Sequence, residues 1–177
     1  RENRFWVLSR IEAVIDQAPR WGDRLTVETW PKSVSRLFAI RDFNLYLDDG
    51  EEEQASPLIR ASSAWLLMDG NSGRPLRPEK HLPEGPLLKN AEKRALPEPP
   101  GKLSGPGTEA EAIDRVAVRY SDIDVNNHVN NSVYLRWLDD AVRDDVPDKS
   151  LSRVELNFLR EASATMELEI YRTGSNP

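Results

Sequence analysis

The sequence predicts an α+β fold in which two units of antiparallel strands flank a linker and one amphipathic helix lies against the second sheet. Three observations support this prediction. Apolar and polar residues alternate in several segments, one segment has apolar residues at helical spacing, and proline and glycine concentrate between the halves. The predicted boundaries are 1–72 for the first unit, 73–112 for the linker and 113–177 for the second unit.

The first unit is predicted to consist of strands joined by short reversals. Residues 25–29 and 43–47 alternate apolar with polar or charged side chains, which is the period-two pattern of a half-buried strand. Residues 48–50 are Asp-Asp-Gly, which favours a tight turn because these residues tolerate positive φ. A mostly apolar strand follows at 59–68, so antiparallel pairing is expected. Residues 6–15 are ambiguous, and their neighbours favour a strand.

The linker is defined by its content of proline and glycine. Eight prolines and five glycines fall between residues 73 and 108. Proline fixes φ and lacks the N–H donor, so this density excludes a sheet ladder or a long helix. A short helix around 87–96 remains compatible with the sequence.

The second unit is predicted to contain a strand, a polar loop, a helix and two further strands. Residues 116–120 alternate as a strand, and the polar segment SDIDVNNHVNN follows at 121–131. Apolar residues from Val133 to Val142 then recur at spacings of three and four, which indicates an amphipathic helix capped by Asn130 or Asn131. Alternation returns at 154–158 and at 166–170.

Composition narrows the chemistry open to this chain. It has 177 residues, no cysteine and two histidines, so thiolate nucleophiles and cysteine-ligated metals are excluded and imidazole chemistry must use His81 or His128. His81, in the linker, is expected to be a solvated loop residue. The net charge of −6 argues against nucleic acid as the main partner. The most apolar stretch, 64–68, is far shorter than the ~20 residues of a membrane span. No signal or transit peptide is visible, so a cytoplasmic location is expected.

The polar loop contains the strongest candidate site. Asp124, Asn126 and His128 alternate, so in an extended segment their side chains would face one side. A neutral imidazole can take a proton from water, a carboxylate can orient it, and an amide can donate to a carbonyl. Free N–H groups at 129–131 would stabilise an oxyanion. Together, these groups indicate hydrolysis of an acyl group. The alternative interpretation is that these Asp and Asn residues serve only turn and capping roles.

Long stretches of the chain resemble one enzyme family. WVLSRIEAVIDQAPRWGDRLTVETWP, SRLFAIRDFNLYLDDGE and IRASSAWLLMD are similar to the N-terminal half of the acyl-acyl-carrier-protein thioesterases, and VRYSDIDVNNHVNNSVYLRWLDD and VELNFLREA to the C-terminal half. The resemblance implies a tandem (double) hotdog, with antiparallel sheets each wrapping a central helix. Against that fold the chain is expected to be incomplete at both ends, because the first helix is missing and the second sheet stops early.

The resemblance also implies a site and a mechanism. Its functional residues correspond to Asp124, Asn126, His128 and Glu161. Plant members have a cysteine after this glutamate, and here that position is Ala162. The expected attacker is therefore water, with His128 as the base and Glu161 positioning the water. Neither a cofactor nor a metal ion is expected.

The expected substrate is a fatty acyl thioester of acyl carrier protein, and the acyl chain is expected to lie in an apolar cavity of the first hotdog. An acyl-CoA thioesterase and a non-catalytic acyl-binding module are the alternatives, and a hydratase fits less well because of its different Asp/His spacing. A homodimer is compatible with this reading, and no nucleic acid or membrane partner is expected. Candidate basic residues for docking the acidic carrier are Arg20, Arg24, Lys32, Arg36, Arg136 and Arg153.

Overall fold

The computed structural model describes residues 3–48, 56–82, 92–105, 107–143 and 150–173. Within these ranges the chain forms eight strands and one α-helix. In chain order they are β1 (Arg4–Ile15), β2 (Leu25–Val34), β3 (Phe38–Leu47), β4 (Ile59–Asp69), β5 (Pro75–Leu76), β6 (Glu111–Ala117), α1 (Asn131–Val142), β7 (Arg153–Asn157) and β8 (Glu167–Arg172). Two compact units result. Unit 1 comprises Arg1–Leu103 with Leu151–Phe158, and unit 2 comprises Ser104–Ser150 with Leu159–Pro177.

Unit 1 is built around one antiparallel sheet in the order β2-β3-β4-β1-β7, with β5 paired to β4. The strands predicted from alternation are confirmed, and the ambiguous segment 6–15 is also a strand. The described part of unit 1 contains no α-helix.

The two faces of this sheet differ in polarity. Asp42 pairs with Ser62, and Ser62 with Glu12, so the three side chains share one face, the polar face. The opposite, apolar face presents Ala61 and Trp65. The division is partial, because the buried Ile40 and Ala64 lie on the polar face and the buried Ser63 lies on the apolar face.

Residues 93–103, here called the strap, lie across the polar face. Backbone groups of the strap bond to side chains of the sheet at 2.8–3.1 Å, and the side chains are those of Trp30 on β2, Asp42 on β3, and Glu155 and Asn157 on β7. The strap has no regular structure, in keeping with its prolines, but side-chain partners satisfy several of its backbone groups. Part of the predicted linker is thus an integral layer of unit 1.

A buried ion pair lies beneath the strap. Lys32 Nζ is 3.4 Å from Asp42 Oδ2, and neither side chain is exposed. Lys32 also donates to the carbonyl of Leu96 at 2.6 Å, while Asp42 accepts from the N–H of Ala95 at 2.8 Å. The expectation that Lys32 is a surface residue for docking is therefore wrong, because its ammonium group is enclosed by its own unit.

Unit 2 combines the antiparallel pair β6–β8 with α1. The helix is confirmed, and Asn130 is its N-cap, accepting from the N–H of Ser132. Val133 and Trp137 on α1 are buried in a cluster with Ile170 of β8. The strand predicted at 116–120 ends earlier, because residues 120–122 form a 3₁₀ turn. The strand predicted at 166–170 is confirmed.

Two further segments differ from expectation. Residues 153–157 are a strand, as the alternation predicts, but this strand pairs with β1 of unit 1, although the predicted second unit spans 113–177. Alternation indicates a strand without identifying the strand that pairs with it. Here the pairing strand is β1, on the side that β4 does not occupy. The short helix expected at 87–96 falls largely outside the described residues, and the described residues 92–96 are not helical.

Candidate active site

The polar loop forms a small closed hairpin over residues 122–130, here called the site hairpin. The carbonyl of Asp122 accepts from Asn130 N–H at 2.9 Å, and Ile123 and Val129 form an antiparallel bridge. The N–H of Asp124 donates to the carbonyl of His128 at 2.9 Å. The expected extended geometry is therefore wrong, and the polar residues are brought together by a reversal of the chain.

Asx-turn chemistry closes this reversal. Asp124 Oδ1 accepts from Asn126 N–H at 2.8 Å, and the Asn126 amide lies 3.5 Å from Asp124 Oδ2. Asn127 has φ of 65°, a left-handed conformation that asparagine tolerates better than most residues. The turn roles considered in the alternative interpretation are thus present, and they pair the side chains of Asp124 and Asn126.

The second side-chain pair joins the site hairpin to the segment before β8. His128 Nε2 lies 3.2 Å from Glu161 Oε2, and both side chains are partly exposed, at 42% and 61%. The neighbouring Val129 N–H donates to the carbonyl of Ala162 at 2.8 Å, which sets this distance. The imidazole therefore has a carboxylate beside it and solvent access, so water can reach the pair.

Tyr134 lies next to this pair. Its phenol is half-buried, and this burial raises the pKa of Tyr134. A hydrogen bond from Ala162 N–H opposes the rise in pKa, and the charge of Glu161 adds to it. The Tyr134 ring also packs edge-on against Trp137, with centroids 5.5 Å apart. The helical spacing does not single out Tyr134, and only the fold shows its proximity to Glu161.

Two of the three predicted oxyanion donors, the N–H groups at 129–131, are occupied. Val129 N–H donates to Ala162 and Asn130 N–H donates to Asp122, while Ser132 N–H is capped by the side chain of Asn130. The expectation that the N–H groups of 129 and 130 face a substrate is therefore wrong. The same groups hold the site hairpin in place.

A buried carboxylate at the base of the site hairpin is a feature that the motif does not reveal. Asp122 accepts from Arg119 N–H at 2.9 Å and from the Arg136 guanidinium at 2.5 Å, and its side chain is 2% exposed. The pKa of Asp122 is held below its usual range, mainly by the hydrogen bond from Arg119 N–H and also by Arg136, although burial alone would raise it. A cavity of about 370 Å³ adjoins this pair and includes Trp137 in its lining.

Neither a metal-binding cluster nor a membrane-spanning helix is found among the described residues. No group of three or more His, Asp or Glu side chains in the described ranges is arranged to hold a metal ion. Among these residues there is also no helix with the length and apolar character that crossing a membrane requires.

Models of one family match both halves of the chain. The acyl-ACP thioesterase N-terminal domain matches residues 1–84, and the acyl-ACP thioesterase C-terminal domain matches residues 106–176. The chain belongs to the acyl-ACP thioesterase family.

Curated relatives agree with this assignment. The chain is 30% identical over 181 residues to the chloroplastic palmitoyl-acyl carrier protein thioesterase of Gossypium hirsutum, covering 99% of this chain and 43% of the relative. It is 30% identical over 168 residues to the chloroplastic oleoyl-acyl carrier protein thioesterase 1 of Arabidopsis thaliana, covering 89% and 44%. The chain thus spans less than half the length of these relatives.

Solved structures support the fold. An acyl-ACP thioesterase from Bacteroides thetaiotaomicron superposes with a TM-score of 0.77 at 26% identity, covering 94% of this chain and 65% of that one. The 12:0-ACP thioesterase from Umbellularia californica superposes with a TM-score of 0.72 at 24% identity, covering 98% and 67%, which bears on the fold alone. The predicted α+β hotdog-type fold is confirmed.

Proposed function

We propose that the protein hydrolyses fatty acyl thioesters of acyl carrier protein, giving free fatty acid and the carrier thiol. The observation that carries this proposal is the contact between His128 and Glu161 at 3.2 Å, on a site hairpin that also pairs Asp124 with Asn126. Family membership supports the substrate class, since the named relatives act on acyl carrier protein thioesters.

In the proposed reaction, His128 takes a proton from water while Glu161 orients the imidazole and stabilises its charged form. The water oxygen bonds to the thioester carbonyl carbon, the carbon–sulfur bond breaks, and the proton passes to the departing thiolate. The chain has no cysteine, so its own residues offer no thiolate for a covalent acyl intermediate. Water is the attacker that fits these groups.

The carbonyl oxygen needs a donor other than the N–H groups at 129 and 130, which are occupied. We assign this role to the Asn126 side-chain amide, because Asn126 is exposed at the tip of the site hairpin. Asp124 then acts by holding Asn126 through its N–H and amide. An oxyanion donor of this kind contributes roughly 3 kcal/mol to transition-state stabilisation.

The acyl chain is proposed to bind on unit 1. A cavity of about 390 Å³ there has one charged residue, Arg41, in its lining, and the other lining residues are Trp6, Pro31, Ala39, Ile40, Trp65 and Leu82. Such a lining suits an alkyl chain, because burial of each CH₂ group contributes about 0.8 kcal/mol.

Docking of the acidic carrier is proposed to use a reduced set of basic residues. Arg20, Arg24 and Arg36 are exposed, whereas Lys32 is buried. Arg136 and Arg153 are engaged with Asp122 and Glu12. A cytoplasmic location and a homodimer stay predictions, and the curated relatives named above are chloroplastic.

The test is release of free thiol from acyl-carrier-protein thioesters across a range of acyl lengths, with matching acyl-CoA thioesters beside them. His128→Gln should lower the rate by about 100-fold or more. His81→Gln is the matched control, since it removes the other histidine, and should leave the rate unchanged. No thiol release from any carrier thioester, or full activity in His128→Gln, would refute the proposal. Faster thiol release from acyl-CoA than from the carrier thioester would show that acyl-CoA is the substrate instead.

A further inference from the structure

We propose that Asp122 and Arg136 are positioning residues that hold His128 against Glu161 in the reaction proposed above. The inference rests on that proposed function for its activity readout. Neither residue belongs to the Asp124, Asn126, His128 and Glu161 set.

The carboxylate of Asp122 is built into unit 2 as a buried charge. Its side chain is 2% exposed, one oxygen accepts from Arg119 N–H and the other from Arg136. A buried carboxylate needs such partners, because its desolvation is costly unless both oxygens are satisfied. Arg136 is therefore needed to keep Asp122 ionised and in place.

The backbone of Asp122 connects this ion pair to the site. Its carbonyl accepts from the N–H of Asn130, which is also the N-cap of α1. His128 lies two residues before Asn130, and the intervening Val129 donates to Ala162, next to Glu161. Displacement of Asp122 would thus move His128 relative to Glu161, although neither reacting group is altered.

Arg136 performs this role from the helix. It lies on α1, so its bond to Asp122 joins the helix to the start of the site hairpin. Another arginine near the end of α1, Arg143, pairs with Asp139 four residues earlier, and both of those side chains are about half exposed, at 48% and 45%. Exposed pairs of that kind contribute little, so Arg143, the C-cap of α1, provides a matched control.

The first experiment compares kcat and KM for thioester hydrolysis in Arg136→Ala, Arg136→Lys and Arg143→Ala. Misplacement of a catalytic group by about 1 Å can cost up to 100-fold. We expect Arg136→Ala to lower kcat by about 10- to 100-fold with KM within about twofold, Arg136→Lys to recover part of the loss, and Arg143→Ala to match the parent. Methylguanidinium should restore activity to Arg136→Ala through the cavity beside Asp122.

The second experiment does not depend on activity. The imidazole Hε1 NMR signal of His128, identified by its loss in His128→Gln, should move in Arg136→Ala and in Asp122→Asn, while the His81 signal stays in place. An unmoved His128 signal, a kcat equal to that of Arg143→Ala, or a loss confined to KM would overturn the inference. Absence of hydrolysis in the parent would refute the proposed function, and the NMR signal would still decide the positioning role.

Discussion

His128 and Glu161 come within 3.2 Å of each other because two short backbone bonds hold their neighbours. Asp124 N–H donates to the carbonyl of His128, and Val129 N–H donates to the carbonyl of Ala162. The contact between the side chains is therefore imposed by the backbone. Because both side chains remain partly exposed, changing either one should alter chemistry more than stability.

Glu161→Gln is expected to lower hydrolysis by about 10- to 100-fold, because the amide cannot stabilise a charged imidazole as the carboxylate does. Thiol release from an acyl carrier protein thioester measures this effect. Glu167→Gln removes an exposed carboxylate of the same unit and should match the parent. Equal rates for the two variants would exclude Glu161 from the mechanism.

Thr165→Gly is expected to raise the free energy of unfolding by up to about 1 kcal/mol. Thr165 has φ of 71°, a left-handed conformation that is unfavourable for a β-branched residue and open to glycine. Urea denaturation measures the change. Thr26→Gly in β2 is the control and should lower stability, since extended backbone gains nothing from glycine. A loss of stability in both variants would contradict the strain at Thr165.

Asp42→Ala is expected to lower the free energy of unfolding by about 3–5 kcal/mol, because it leaves the ammonium group of Lys32 buried without its counter-ion. Replacing both residues, by Lys32→Met with Asp42→Leu, should cost less than Asp42→Ala alone. Arg60→Ala, which breaks the exposed pair with Asp16, is the control and should cost below about 1 kcal/mol. Similar losses for Asp42→Ala and Arg60→Ala in urea denaturation would refute the buried pair.

The stability of unit 2 should fall in acid through Asp122. Its pKa is lower in the folded state than in the unfolded chain, so the carboxylate stabilises the fold above about pH 4 and this contribution is lost as the pH falls below that value. Hydrogen exchange of α1, compared between parent and Asp122→Asn at each pH, measures it. The parent should be better protected at pH 7, and the difference should shrink toward pH 3; a constant difference would contradict the assignment.

The elements that the sequence predicts well are those with a regular pattern. The helical spacing after Val133 reflects a side of α1 that is buried at Val133 and Trp137. The alternation at 25–29 and 43–47 correctly indicates strands but not their buried side, because Leu25 and Val27 are exposed whereas Asn44 is buried. The cap at Asn130 is also predictable, because a side-chain oxygen there satisfies an N–H that the helix leaves unpaired.

The site hairpin was less predictable, because its shape depends on a single residue. Positive φ at Asn127 reverses the chain, and the alternation of Asp124, Asn126 and His128 wrongly indicates an extended segment. The contact of His128 with Glu161 depends on pairing between distant segments, which a local pattern does not encode. The resemblance to known thioesterases supplied Glu161, and the backbone bonds account for its proximity.

The burial of charged side chains is also not predictable from the sequence. Lys32 has the sequence context of a surface residue, and its enclosure depends on the strap lying over the polar face. Prolines predict that the strap has no regular structure, but they do not indicate whether it packs. Side chains of β2, β3 and β7 determine that it does.

The pairing of β7 with β1 makes unit 1 discontinuous along the chain, since residues from both sides of α1 contribute to it. Chimaeras that exchange halves between two thioesterases at a single junction would therefore combine β7 of one parent with β1 of the other. A design that keeps the sheet intact needs three crossovers, one after Leu103 and one on each side of a cassette, residues 151–158, which is exchanged together with residues 1–103. Recombination of acyl specificity between relatives is best planned around that cassette.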